Sequence, residues 1–300
     1  MRTSIPRVQW HFETIATDLG FVEGPVIVGA GVIVVSLDRG HVYEIGVDGP
    51  TLLSSPGGAP NGAVVDRHGT VYVAQNGGHW PGVVRRSQPG GLQAIHPDGR
   101  VTWVSLDPVF PTDLCIGPDG WVYLTDSTRN QKYDDGRLWR CNPSTGSSEL
   151  LHSVPWFPNG ITFGPDDRLY VASSGDKRIY VCDWDSGQVG PPRVFCELPE
   201  GRPDGLAFDA DGTLLVAAVG SDGGPGFIAL VTPQGEVAQI VEIGASTHYT
   251  NLALGTDEHR LVLTDATTGA VLVTRDHAVL GLELHPFRDH DSLEPGHSIA

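Results

Sequence analysis

A phrase repeated six times along the 300 residues restricts what this chain can fold into more than any other feature. Each copy has a polar residue, a short apolar run, a turn rich in Asp and Gly, and a second apolar run. Pro60-Asn61-Gly62 leads to Val71-Tyr72-Val73, Pro111-Thr112-Asp113 to Val122-Tyr123-Leu124, and Pro158-Asn159-Gly160 to Leu169-Tyr170-Val171. Pro203-Asp204-Gly205 leads to Leu214-Leu215-Val216, Val22-Glu23-Gly24 to Ile33-Val34-Val35, and Thr250-Asn251-Leu252 to Leu261-Val262-Leu263. In all six the centre of the second run lies 11 positions after the polar anchor. The anchors Glu23, Asn61, Thr112, Asn159, Asp204 and Asn251 are spaced by 38, 51, 47, 45 and 47 residues. Each interval holds one four-stranded antiparallel sheet, and turns such as Asp66-Arg67-His68-Gly69 and Pro118-Asp119-Gly120 suit tight hairpins. No amphipathic helix longer than a turn or two is legible. The expectation is all-β: one six-bladed β-propeller over residues 1–300, an arrangement that leaves only short, protected sheet edges. Three strands fit after Asn251 (261–266, 269–275 and 278–284), so residues 8–15 are expected to supply a further strand that closes the ring.

Composition agrees and narrows the function. Gly 39 and Pro 23 are spread evenly, as many turns require, and 40% apolar against 18% charged residues excludes a disordered chain or a coiled coil. Nineteen basic against 36 acidic residues give a net charge of −17, which repels nucleic acid and leaves a small molecule as the expected partner. Cys115, Cys141, Cys182 and Cys196 form no C-x-x-C pair and read as reduced, buried thiols. Residues 1–17 are too polar for a signal peptide, and the most apolar run, 26–37, is too short to span a bilayer. A soluble cytoplasmic protein without membrane association is expected.

In a propeller the innermost strands line a central tunnel, so the six anchors form a ring at one mouth of it. All six carry oxygen and two carry charge. Two carboxylates with amide oxygens suit a hard divalent cation. Asn61 and Asn251 read better as Asx-turn formers ahead of a strand than as ligands. Glu23 does not, because Glu is a poor turn former and Pro25 follows at once.

With these motifs in view, the chain resembles the senescence-marker-protein, gluconolactonase and luciferin-regenerating-enzyme family. Glu23-Gly24-Pro25, Pro158-Asn159-Gly160, and Pro203-Asp204-Gly205 with Asp209 and Gly212 carry the resemblance, which covers essentially the whole chain. It implies a six-bladed propeller holding a divalent metal, calcium first with magnesium, manganese or zinc as alternatives. It also implies Glu23, Asn159 and Asp204 as ligands, with Asp204 moving the proton. Two departures stand out. Thr112-Asp113 occupies the third-blade anchor where Asn is common, so that the Thr112 hydroxyl, a water or Asp113 takes its place. Phe110 stands where sugar-lactone members often carry a substrate-binding Arg. With Trp156 and Phe157 nearby, the mouth is expected to be more aromatic than a polyol site.

The expected activity is metal-dependent hydrolysis of a lactone or related cyclic ester, the metal polarising the carbonyl and Asp204 acting as general base and acid. Isomerisation, elimination or ring closure on the same donors is the enzymatic alternative, and a non-enzymatic ligand-binding propeller the other. Asn61, Phe110, Thr112, Asp113, Trp156 and His248 are the candidate substrate contacts, and no other cofactor is expected. His79-Trp80 with Arg85 and Arg86 is a candidate covering loop, and Arg129, Lys132 and Tyr133 a candidate second wall. Asp126 and Asp265 are expected to bond blade to blade. Nucleophile-elbow, zincin, phosphate-loop and dinucleotide motifs are all missing.

Overall fold

The computed structural model describes residues 4–78, 88–127 and 134–285. Six antiparallel sheets follow one another in chain order, each beginning with one of the anchor segments. Their first strands are Val22–Val28, Pro60–Val65, Pro111–Ile116, Pro158–Phe163, Arg202–Phe208 and Tyr249–Leu254. Each first strand packs against the first strand of the next sheet, and the sixth against the first, so the ring closes around an axis. This is a six-bladed β-propeller, as the repeat predicts. No helix among the described residues is long and apolar enough to cross a membrane.

The core is divided among the blade interfaces. Six apolar clusters each join two neighbouring blades; one holds Ile33 and Val35 of the first blade with Ala63 and Val73 of the second. The second strands, wedged between inner and outer strands and between neighbouring blades, are buried along most of their length, as in Val71–Gln75, Val122–Asp126 and Leu261–Asp265. Burying both faces explains why these strands read as continuous apolar runs rather than alternating ones.

Closure differs from expectation. The N-terminal segment supplies two strands, not one. Arg7–Gln9 pairs in parallel with Val237–Glu242 and adds a fifth strand to the fifth blade. Glu13–Ala16 then pairs with Ala270–Thr274 and completes the sixth. Residues 278–284 form no strand. A single bridge from Gly281 to Asp209 and the Leu282 N–H bond to the Phe208 carbonyl lay that segment across the fifth blade instead. All four cysteines are unbridged; Cys115 is half-buried and the others are buried.

Candidate active site

The anchors sit where each inner strand breaks register. The pairing slips by one between Pro60 and Ala63, Pro111 and Leu114, Pro158 and Ile161, Pro203 and Leu206, and Tyr249 and Leu252, with the same slip between Glu23 and Val26. Such a bulge sets two residues against one and re-aims their side chains. It also turns the constant 11-residue offset into two different geometries. The residue 11 after the anchor pairs with anchor plus three in blades two to five, as in Val64 with Tyr72 and Ala207 with Leu215. In the sixth blade Val262 pairs with Ala253, which is anchor plus two. Counted from the strand-end bonds, Ala266 N–H to the His248 carbonyl against Ser127 N–H to the Phe110 carbonyl, the residue in register with Thr112, Asn159 and Asp204 is Thr250, and Asn251 is in register with Asp113.

Asp113 and Asn251 meet across the axis: Asn251 Nδ2 lies 3.4 Å from Asp113 Oδ2, linking the third and sixth blades. The Gly24 N–H donates to Glu23 Oε2, and Asn251 and Thr250 favour the ionised form of that carboxyl. The bonds that hold Asp113 come from the Leu114 and Ile161 N–H groups and Asn251. Glu23, Asp113 and Asp204 are all buried. Burial pushes the Glu23 carboxyl up to about 8, reinforced by the charge of Asp113. Burial likewise raises Asp113 to about 7. Asp204 lies well above the usual carboxylate range, first through burial and then through the charges of Glu23 and Asp113. Three carboxyls from three blades thus share one buried region and oppose one another's ionisation.

The remaining sequence candidates separate into groups. Asn159 is half-buried; its Nδ2 donates to Ser174 Oγ, which donates on to the Pro203 carbonyl beside Asp204. Asn61 is buried on its inner strand, and Gly62 beside it packs against Asp113. Thr112 does not replace an amide at the centre: its hydroxyl hydrogen-bonds Ser127 Oγ, and Asp113 reaches the axis instead. Trp156 is packed in the core between the third and fourth blades, stacked 4.4 Å from Tyr180 at an interplanar angle of 2°, so it does not line the mouth. Asp126 serves its own blade, accepting from the Val109 and Phe110 N–H groups and from Trp139 Nε1. Asp265 binds the loop residues Ser246 and Thr268. His79, Trp80, Arg85, Arg86, Arg129, Lys132 and Tyr133 lie outside the described residues.

One layer outward, the rim of this mouth is built by the residues two positions before the register-equivalent anchors. These are Phe21, Ala59, Phe110, Phe157, Arg202 and His248. The carbonyls of Phe21, Ala59, Phe110, Phe157 and His248 each accept from the N–H one residue beyond their blade's second strand: Leu37, Asn76, Ser127, Ser174 and Ala266. Arg202 holds the same position by pairing with Val219. His248 is half-buried, its ring 6.4 Å from that of Phe21, with its protonation disfavoured by burial and then by Arg202. Sequence reading missed Arg202 and also Asn76, a fully buried amide whose Oδ1 and Nδ2 have no hydrogen-bond partner among the described residues. On the other side of the Asp113–Asn251 contact a cavity of about 570 Å³ runs to the opposite mouth, where Leu282 and His285 line it.

The donor set fits a hard cation. Among the described residues no three of the His, Cys, Asp and Glu side chains gather closely enough to hold an ion by themselves, so a cation here would need amide oxygen as well. Asn159 offers it, because its nitrogen is already engaged with Ser174 and its Oδ1 is left as donor. Buried carboxyls that repel one another are what a divalent charge relieves.

A propeller with an acid-lined tunnel mouth defines an architecture, and comparison with known proteins places it. Residues 105–267 match the family described as SMP-30/Gluconolactonase/LRE-like region, and the chain belongs to that family. The gluconolactonase of Zymomonas mobilis is 24% identical over 298 residues, covering 83% of this chain and 77% of that protein. Strictosidine synthase-like protein 3 of Arabidopsis thaliana is 30% identical over 175 residues, 53% of this chain, and the match spans only 43% of that relative's length. The crystal structure of the calcium-binding protein regucalcin from Agrobacterium tumefaciens superposes with a TM-score of 0.76 at 17% identity, covering 94% of this chain and 99% of that one, a likeness of fold.

Proposed function

We propose that the protein is a divalent-metal-dependent hydrolase of a lactone or related cyclic ester. The observation that carries this reading is the burial of Glu23, Asp113 and Asp204 on the inner strands of three blades around one axis, where Asn251 of the sixth blade reaches Asp113. Membership of a family named for gluconolactonase supports the substrate class. Glu23, Asn159 and Asp204 would hold the ion, calcium first. A divalent cation there supplies polarisation of an ester carbonyl and stabilisation of the oxyanion.

The chain's own groups do the rest. Asp204 takes a proton from the attacking water and returns it to the leaving alkoxide, a role for which a carboxyl raised by burial is poised. Asn251 holds Asp113 from the opposite blade and favours the ionised form of Glu23. Half-buried Phe21, Phe110 and Phe157 at the rim would reduce the water around a bound ester.

Acid release from a lactone panel tests the reading. Asp204→Asn should lower turnover by about 10²–10⁴-fold, the usual contribution of a positioned acid–base group, with the fold unchanged by circular dichroism. Undiminished turnover in that variant would reject Asp204 as the proton carrier. No acid from any lactone would shift the reading to non-hydrolytic chemistry on the same donors.

A further inference from the structure

The rim of the tunnel mouth contains one group that hydrolysis of a neutral ester does not use. Arg202 stands two residues before Asp204 on the same inner strand, in register with Phe110 and exposed to solvent. The arginines at 7, 39, 100, 137, 140, 168, 178, 193, 260 and 275 are each ion-paired to Asp or Glu. Among the described residues Arg67 and Arg202 alone have no such pair, and Arg67 lies at the opposite mouth, lining the cavity there. In a chain of net charge −17 an arginine without a carboxylate partner is the exception. Its charge bears on both Asp204, two residues along the same strand, and His248, the rim residue of the next blade. Three of the equivalent rim positions on the other blades are half-buried aromatics, Phe21, Phe110 and Phe157.

We propose that Arg202 recognises a carboxylate on the substrate, and that the substrate is a cyclic ester whose apolar ring body carries that carboxylate. This rests on the lactone-hydrolase reading and names its substrate class. A guanidinium presents two parallel N–H groups that match a carboxylate, and its face packs on aromatic rings, so one residue serves both parts of such a molecule. The arginine that sugar-lactone members are expected to carry in the third blade is Phe110 here. On this rim the cation stands on the fifth blade, next to the proton carrier, and the equivalent position of the third blade is the apolar Phe110. The chain's overall negative charge opposes an anion at long range, but salt screens that field beyond about 8 Å, whereas a bidentate contact acts well within it.

The test compares dihydrocoumarin, a neutral aryl-fused lactone, with a dihydrocoumarin bearing a ring carboxylate. The wild type should favour the carboxylate probe. In Arg202→Ala the ratio of kcat/KM for the carboxylate probe over the neutral one should fall about 10- to 100-fold, the worth of a charge-assisted hydrogen bond, through a rise in KM. Arg202→Lys should recover part of that ratio. Using the ratio removes any effect that Arg202 exerts through Asp204, because that effect falls on both probes. A ratio unchanged in Arg202→Ala, or a wild-type preference for the neutral probe, overturns the proposal. If neither lactone is hydrolysed, calorimetric binding of 3-phenylpropionate decides the subsite independently of the hydrolase reading, which the lactone panel tests. Binding that is lost in Arg202→Ala sustains the assignment; binding that is absent from the wild type or retained in the variant overturns it.

Discussion

Glu23 is costly where it stands. Burial and the nearby Asp113 hold its carboxyl near 8, and Asp113 near 7, so the folded protein retains protons that the unfolded chain releases from about pH 4 upward. The sign follows from linkage: the stability these two carboxyls contribute to cation-free protein is fully present below the ordinary carboxyl range and declines as pH rises through 5 to 8. A divalent cation replaces those protons, so calcium should raise Tm more at pH 8 than at pH 5. Thermal unfolding in chelator and in calcium across that range checks this, and a cation-free Tm that climbs with pH would contradict it. Glu23→Gln separates the two roles. It removes a buried charge, so the variant should be as stable as the wild type or more so at pH 8 without cation, yet bind calcium at least about tenfold more weakly. Legibility at this scale was uneven. Glu23, Asn159 and Asp204 stand out because each is a polar residue beside Gly at a fixed phase. Asp113 is hidden by Thr112 before it, and only the bulge decides which of two adjacent polar residues faces the axis.

At the scale of the strand, the bulge before each apolar run brings the six inner strands into contact around the axis. Gly205 lies so close to the sixth blade that an added Cβ would stand 2.6 Å from Asn251 Cα. Gly24 has φ of 51° and abuts the Ala63 backbone, which explains Gly after Glu23. Gly205→Ala should therefore cost about 1–3 kcal/mol by overpacking and displace Asn251 from Asp113. Gly46→Ala, with open space around it, should change stability by no more than about 0.5 kcal/mol. Denaturant unfolding of the pair checks both. The repeat was readable because turn and bulge residues have few substitutes. The shifted register of the sixth blade was not, since its longer hairpin loop, between the paired Leu254 and Leu261, restores the same 11-residue count over a different pairing. Arg202 could have been found by aligning Phe110 with the position two before Asp204.

The whole molecule is a ring, and a ring is as stable as its closure. Ala16 and Leu19 pack with Val262 and Val271 of the sixth blade and Val22 and Val32 of the first, so the N-terminal segment seals the last interface. Removing residues 1–16 strips the sixth blade of its outer strand and bares the Ala270–Thr274 edge. Such a truncation should lose the single cooperative unfolding transition of the full chain and self-associate, as exposed edges do. An unchanged, monomeric melt would show that closure does not depend on these strands. The ring also explains the site: residues as distant in sequence as Asp113 and Asn251 meet because opposite blades share one axis. What that meeting accomplishes is most directly read by titrating calcium into chelator-treated protein in a calorimeter, wild type beside Glu23→Gln. The expected result is one ion per chain with proton release at pH 7, abolished or strongly weakened by the substitution. No binding of calcium, magnesium, manganese or zinc, together with lactone hydrolysis undiminished by the chelator, would contradict it.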